Sequence, residues 1–319
     1  DLLVSISENF TTAFIINLLK VNTYLANRWK SAHYEYEITP GIIKEIERYL
    51  EEAPSKYEDV TYIKFYYNSL KLAETEDEKY FYALKNIIKN EYENLNAVDK
   101  KNIFTVLSNY CYLQTNKGDA KFKKEQFFLR KELIERGYYR GQRKFLDHFQ
   151  YMGAVITGLE AGEHEWVQNF IIQYKNELDD ANRENSYNLC NAIFYYHKKD
   201  YQNSLNELAK VTTEDLSYKH QLKSMYLKLY FDMNETEPFY SHIDNYKHFI
   251  SKDNVVTASS KNLIGDYISF TKRLFDLKNT RSVTSVDLEM LKREIMNNKA
   301  MINKSWLLEK IEELESLYT

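Results

Sequence analysis

Residues 192–211 read Ala-Ile-Phe-Tyr-Tyr-His-Lys-Lys-Asp-Tyr-Gln-Asn-Ser-Leu-Asn-Glu-Leu-Ala-Lys-Val, and this stretch indicates the fold. Ala192 precedes the aromatic Tyr195 by three positions, so both lie on one side of a helix. A polar turn then leads to Asp200, after which apolar residues again recur at helical spacing. The stretch therefore predicts two antiparallel helices joined by a tight turn.

Helical spacing of apolar residues extends outward from this pair over almost the whole chain. We predict helices over about 2–28, 41–52, 57–73, 77–95, 98–116, 119–136, 145–160, 163–178, 183–198, 200–211, 216–233, 237–251, 257–278, 285–297 and 304–318. Thr284 with Asp287 is typical of a capping box. Gly118 and Gly162 follow helical segments, where a left-handed cap is expected.

Tight turns recur along the chain with the period of a two-helix repeat. They are predicted near Thr75, Gly118, Gly162, Lys199 and Asn234. One helix pair cannot bury its apolar face alone, so each pair is expected to stack on the next. The sequence therefore predicts an all-α fold, an α-solenoid of stacked antiparallel helix pairs.

Composition excludes several other folds. The chain has 319 residues with only 8 Gly and 3 Pro, whereas average usage would give about 22 and 16. Because Gly and Pro form most tight turns, β-sandwiches and barrels are excluded. The Gly-rich turns of dinucleotide-binding folds are missing as well.

The stretch around Ala192 resembles the tetratricopeptide repeat (TPR) pattern of small, aromatic and turn residues. The residues that carry this repeat signature are Ala192, Tyr195, Asp200, Tyr201, Ser204, Leu208 and Val211. Lys199 stands where the family has a turn glycine, and the proline at the repeat end is missing. The resemblance implies a TPR-like superhelix whose concave groove binds peptides or partner proteins.

We divide the chain into three regions. Residues 57–251 form the predicted TPR-like array. Residues 1–56 are N-terminal helices that cap the array or link it to an upstream region, since the chain opens inside a helix with Asp1. Residues 252–319 continue the array or cap it.

No motif for catalysis, metal or cofactor binding is present. HExxH, CxxC, GxSxG, GxGxxG and GxxxxGK[ST] are all missing. We therefore predict a protein that is not an enzyme and has no metal and no cofactor. Cys111 and Cys190 lie in apolar helical patterns, which favours buried, reduced thiols in a cytoplasmic protein.

Charge and hydropathy give no bias toward a membrane. The net charge is −4, and the longest uncharged run near the start, residues 9–19, is shorter than the ~20 apolar residues of a span. No basic segment precedes it, which argues against a signal peptide. We predict no membrane span and a cytoplasmic location.

The segment 121–144 is strongly basic, with nine Lys or Arg against three Glu. Within it, Arg136, Arg140 and Arg143 lie beside Tyr139. One interpretation is an anion-recognition site for phosphate, nucleic acid or an acidic peptide, because the arginine fork fits oxyanions. The alternative is a loop between repeats whose charges pair with acidic helices.

The first helix of the repeat around Ala192 has mostly apolar candidates for a groove. Leu189, Ile193, Tyr196 and His197 would accept an apolar or aromatic segment of a partner, although they could equally face the next helix pair. The leading hypothesis is a non-enzymatic scaffold that docks a protein or peptide. The alternatives are a ligand-sensing regulatory domain and nucleic-acid binding through 121–144.

Overall fold

The computed structural model describes residues 2–32, 40–140, 145–213, 215–253, 257–280, 284–298 and 301–317. Within these ranges the chain forms fifteen α-helices and no β-strand, so the prediction of an all-α fold is confirmed. The helices are α1 (Leu2–Ala32), α2 (Pro40–Glu52), α3 (Thr61–Thr75), α4 (Glu78–Asn90), α5 (Ala97–Asn116), α6 (Lys121–Glu135), α7 (His148–Glu160), α8 (His164–Gln173), α9 (Arg183–His197), α10 (Tyr201–Leu208), α11 (Leu216–Asp232), α12 (Thr236–Lys252), α13 (Ala258–Lys278), α14 (Ser285–Asn297) and α15 (Lys304–Glu315).

The observed helices match the predicted ones in number and order. The helices predicted to end at 95 and 178 are shorter, because 3₁₀ turns at Tyr92–Asn94 and Lys175–Glu177 replace their last residues. The predicted capping box is confirmed: Thr284 Oγ1 accepts from Asp287 N (3.3 Å), and Asp287 Oδ2 accepts from Thr284 N (2.9 Å). Two backbone groups at the start of α14 are thereby satisfied.

One backbone turn recurs after α5, α7, α9 and α11. Each has a residue with positive φ: Gly118 (99°), Gly162 (82°), Lys199 (59°) and Asn234 (58°). The N–H of the following residue donates to the carbonyl five positions back, at 2.9–3.1 Å. This bond defines the Schellman turn, which satisfies carbonyls at the end of a helix. The predicted left-handed caps at Gly118 and Gly162 are therefore confirmed.

Residues 1–166 and 177–179 form one compact unit, called unit 1. Within it α1 packs on α3, α3 on α4, α5 on α6, and α6 on α7. Aromatic rings fill much of the core, and Phe81 meets Phe122 edge to face with centroids 5.4 Å apart. A buried carboxylate, Asp99, accepts a hydrogen bond of 2.6 Å from the buried Tyr66 hydroxyl.

Residues 167–176 and 180–319 form a second compact unit, called unit 2. Here α9 packs on α10, α11 on α12, α12 on α13, and α14 on α15. Phe239 and Phe275 stack with centroids 3.9 Å apart. Asp232 in α11 pairs with Lys310 in α15 at 2.9 Å, and both side chains are buried.

The repeat signature produces close packing of α9 against α10. Ser204 Oγ donates to the Ala192 carbonyl at 2.7 Å, and both residues are fully buried, so the two helices approach closely. Asp200 caps α10 by accepting from Asn203 N. Leu208 and Val211 are buried, and Tyr195 and Tyr201 are partly buried. The solenoid arrangement and the regional boundaries at 56/57 and 251/252 stay predictions.

Candidate functional site

The predicted groove residues of α9 are mostly buried inside unit 2. Leu189 and Ile193 belong to the core, and only His197 is exposed. Tyr196 is buried as well. Its hydroxyl donates to Asp232 and accepts a 2.7 Å hydrogen bond from Trp306 Nε1 in α15. In this structure these three side chains therefore do not form an open groove, because helix packing within unit 2 occupies their face.

Asp232, the acceptor of the Tyr196 hydroxyl, also pairs with a lysine. Lys310 Nζ lies 2.9 Å from Asp232 Oδ1 and 2.8 Å from Glu313 Oε2. Burial, together with the negative charge of Asp232, raises the pKa of Tyr196 well above its ordinary value. Its hydroxyl therefore stays protonated at neutral pH and can donate to Asp232.

The basic segment 121–144 is partly neutralised where the structure describes it. Lys121 pairs with Glu78, Lys131 with Glu135, and Arg136 Nη2 lies 2.6 Å from Glu132 Oε1. Two of these pairs, Lys131 with Glu135 and Arg136 with Glu132, lie within the same helical segment, whereas Lys121 pairs with the neighbouring helix α4. Whether the segment is a loop between repeats or an anion-recognition site stays a prediction.

The other predicted binding residues of this segment, Tyr139, Arg140 and Arg143, lie in different surroundings. Tyr139 is buried, and its hydroxyl donates to Glu177 Oε2 at 3.0 Å. Arg140 ends the 3₁₀ helix Tyr138–Arg140. Arg143 lies outside the described residues. Of the four predicted binding residues, Arg136 is thus the one whose described side chain is open to solvent.

Arg136 lines a cleft between α4 and α6, which we call the basic cleft. Its volume is about 450 Å³, and it is lined by Tyr82, Lys85, Asn86, Ile88, Lys89, Leu129, Glu132 and Arg136. Ile88 and Leu129 are largely buried and form an apolar floor. Three cations and one carboxylate surround this floor. The size lies within the ~300–1,000 Å³ of ligand pockets.

Helix α1 has two apolar faces. Ile15, Leu19 and Ala26 are buried toward α3, and Thr23 Oγ1 donates to the Tyr66 carbonyl at 3.2 Å. On the opposite side of the helix, six large side chains are exposed. They form what we call the α1 stripe: Leu3, Ile6, Phe10, Phe14, Val21 and Tyr24.

The α1 stripe follows one side of the helix and is interrupted by the exposed polar Asn17 between Phe14 and Val21. Its members are spaced three, four or seven residues apart, so they align on one side. Phe10 is 74% and Phe14 52% exposed, which is unusual for large aromatic side chains. Exposed apolar surface of this kind marks interaction sites.

By length and composition alone, Leu2–Ala26 in the described part of the chain could cross a membrane. Core helices and signal sequences meet the same criterion, so the prediction of no membrane span stays a prediction. Ile15, Leu19 and Ala26 are buried in the unit 1 core. The exposed turns before them are shorter than the ~30 Å hydrocarbon core, so a span would require α1 to leave α3.

The two cysteines are unreactive in the folded chain. Both are buried and free. Burial raises the pKa of Cys111 to about 12 and shifts that of Cys190 upward too, so neither forms a thiolate at neutral pH. Among the described residues, no group of three or more His, Cys, Asp or Glu could hold a metal ion.

Comparisons with protein-family models, with curated proteins and with solved structures found no match for this chain. The resemblance to TPR proteins therefore rests on its own residues.

Sequence reasoning missed the α1 stripe and most of the basic cleft. The spacing of Leu3, Phe10 and Phe14 places them on one face of a helix. The same spacing is also typical of a face buried in the core, so it does not predict exposure. The cleft joins residues 82–89 to 129–136, and the pairing of α4 with α6 is a tertiary feature. Of the cleft residues, Arg136 alone could be predicted from the sequence, because it lies in a segment with an excess of basic residues.

Proposed function

We propose that this chain is a non-enzymatic helical-repeat module that docks a protein partner. The α1 stripe carries this proposal, because six large apolar side chains face water on the side of α1 opposite its core contacts. Exposed aromatic anchors are the residues that contribute most to protein–protein binding. The recurring Schellman turns support a repeat architecture, in which stacked helix pairs present an extended surface.

The ion pairs of segment 121–144 favour a protein partner over nucleic acid. Nucleic-acid binding depends on free cations that neutralise phosphates. Lys121 and Lys131 each have a carboxylate within 4 Å. Their charge is thus already partly compensated.

The test is capture of partners from the native source on the immobilised full chain, with quantitative mass spectrometry. The double variant Phe10→Ser, Phe14→Ser should capture at least about tenfold less of the specific partner, because two exposed anchors are lost. Binding by the unchanged chain should persist at about 0.5 M salt, since apolar contacts are not screened.

A matched control removes two phenylalanines of similar exposure outside the α1 stripe, Phe128→Ser with Phe149→Ser. This control should leave capture unchanged. Equal loss in both variants, or capture that survives the Phe10 and Phe14 changes, would overturn the proposal. Flotation of the full chain with lipid vesicles, abolished by the same Phe10 and Phe14 changes, would assign the stripe to a bilayer instead.

A further inference from the structure

The basic cleft combines charge with apolar surface on two adjacent helices. Lys85, Asn86 and Lys89 come from α4, while Glu132 and Arg136 come from α6 and its C-terminal end. The lining side chains carry three positive charges and one negative charge. Between these charges lie Ile88 and Leu129, and Tyr82 stands at the rim with 43% of its surface exposed.

The cations of the basic cleft retain free hydrogen-bonding capacity. Lys85 Nζ is 2.6 Å from Glu125 Oε2, which uses one of its three donors. Arg136 donates to Glu132 and, at 3.4 Å, to the Tyr138 hydroxyl, so further N–H groups remain. Among the described residues, Lys89 is exposed and has no ion-pair partner.

We propose that the basic cleft binds an acidic segment of a partner protein, an inference that rests on the proposed docking function. A carboxylate of that segment accepts from Lys89 and from an N–H group of Arg136 that its contacts with Glu132 and Tyr138 leave over. An adjacent aliphatic or aromatic side chain packs on Ile88 and Leu129, with Tyr82 covering its edge.

The apolar floor favours a peptide segment over a free phosphate group. Compared with a carboxylate at the same distance, a phosphate dianion is repelled about twice as strongly by Glu132 and attracted about twice as strongly by the three lining cations, so charge alone does not separate the two. A peptide segment with an apolar side chain beside its carboxylate also packs on Ile88 and Leu129. Complementary charge on a partner also speeds encounter and fixes register, which is the usual role of a basic surface at a protein interface.

The experiment is selection of random displayed heptapeptides on the immobilised full chain, in parallel with the variant Lys89→Glu, Arg136→Glu. Peptides selected by the unchanged chain should be enriched in Asp or Glu next to an aliphatic or aromatic residue. This enrichment should disappear with the double variant. The most enriched peptide, labelled with fluorescein, should bind the double variant about tenfold more weakly.

Two further variants make the outcome decisive. Lys124→Glu changes an exposed cation of α6 outside the cleft and should leave selection unchanged. Phe10→Ser with Phe14→Ser should leave it unchanged as well, so loss of the α1 function and loss of cleft binding are told apart. Selection without acidic enrichment, or the same enrichment with the Lys89 and Arg136 variant, would overturn the inference.

Discussion

Units 1 and 2 make the same left-handed turn with different residues. At this Schellman turn the positive φ falls on Gly118 and Gly162 in unit 1 and on Lys199 and Asn234 in unit 2. Unit 1 also has a left-handed non-glycine residue, Glu76, at the end of α3, where its N–H donates to the Leu72 carbonyl instead. A left-handed conformation costs a residue with a β-carbon roughly 1 kcal/mol. Unit 2 tolerates this because the turn carries the same 6→1 hydrogen bond and connects helices that pack closely. At Lys199, helix packing therefore stabilises a left-handed conformation that lysine does not favour by itself.

The units also differ in how they hold a buried aspartate. Asp99 in unit 1 accepts from Tyr66 and from the Asn96 side-chain amide at 2.8 Å, with Lys20 farther away at 3.9 Å. Asp232 in unit 2 contacts the Lys310 ammonium directly at 2.9 Å. Unit 1 thus relies mainly on neutral donors, and unit 2 on a direct contact with a cation. Each unit also has one buried free thiol, Cys111 in unit 1 and Cys190 in unit 2. A thiol reagent reaches each cysteine only when its unit opens, so the labelling rate measures that opening.

The largest effect is expected from Lys310→Met. The substitution leaves Asp232 buried without its cation, so unit 2 should lose about 3–5 kcal/mol of stability. Labelling of Cys190 by a thiol reagent under native conditions, followed by mass spectrometry, should accelerate at least about a hundredfold while Cys111 is unaffected. As a control, Lys292→Met removes a more exposed ion pair and should cost less than about 1 kcal/mol. Equal acceleration at both thiols would contradict an effect confined to unit 2.

A smaller effect is expected in unit 1 from Tyr66→Phe. Asp99 loses its shortest hydrogen bond but keeps Asn96, so the loss should be about 1.5–3 kcal/mol, the range for a bond to a charged group. Cys111 should label faster, and Cys190 should not. Tyr67→Phe is the control, since its hydroxyl bonds to the exposed Glu51, and it should change little. A Tyr66 variant as stable as the unchanged chain would show that Asp99 needs no tyrosine.

Exchanging glycine and lysine at the left-handed turn positions should change stability in opposite directions. Gly162→Lys should lower stability by about 1 kcal/mol, and Lys199→Gly should raise it by about 0.5–1 kcal/mol. Space is not the cause, since a β-carbon at Gly162 would meet nothing within 4 Å. Thermal unfolding of the two single variants measures both signs. A Lys199→Gly chain that melts lower would mean that the lysine side chain itself stabilises the turn.

The smallest effect concerns alkaline pH. Burial opposes the charged form of Lys310, but Asp232 and Glu313 outweigh it and raise its pKa above the ordinary value. With a raised folded pKa, the stabilisation is complete below about pH 10.4 and is lost as pH rises through the folded value. The urea midpoint of the unchanged chain should therefore fall more between pH 9.5 and 11 than that of Lys310→Met. Parallel curves for the two chains would refute this.

Much of the fold could be predicted because it follows from local rules. The helices follow from apolar spacing, α14 begins at the predicted Thr284 box, and Gly118 ends α5 as expected. The candidate site could be predicted far less well. Tyr196 fits a groove position in the TPR pattern, yet Trp306, 110 residues later, is its partner. Apolar spacing identifies a buried face but does not identify which helix covers it. The covering helix determines where an open surface remains.

The pairing of Asp232 with Lys310 has a consequence for the order in which the chain is made. During synthesis at about 5–20 residues per second, Asp232 leaves the ribosome roughly 4–16 s before Lys310 does. Unit 1 can complete its core by then, since all of its residues precede Asp232. The nascent α9 and α11 meanwhile expose Tyr196 and Phe231 until α15 arrives. In that interval, the growing chain should recruit chaperones that recognise apolar segments.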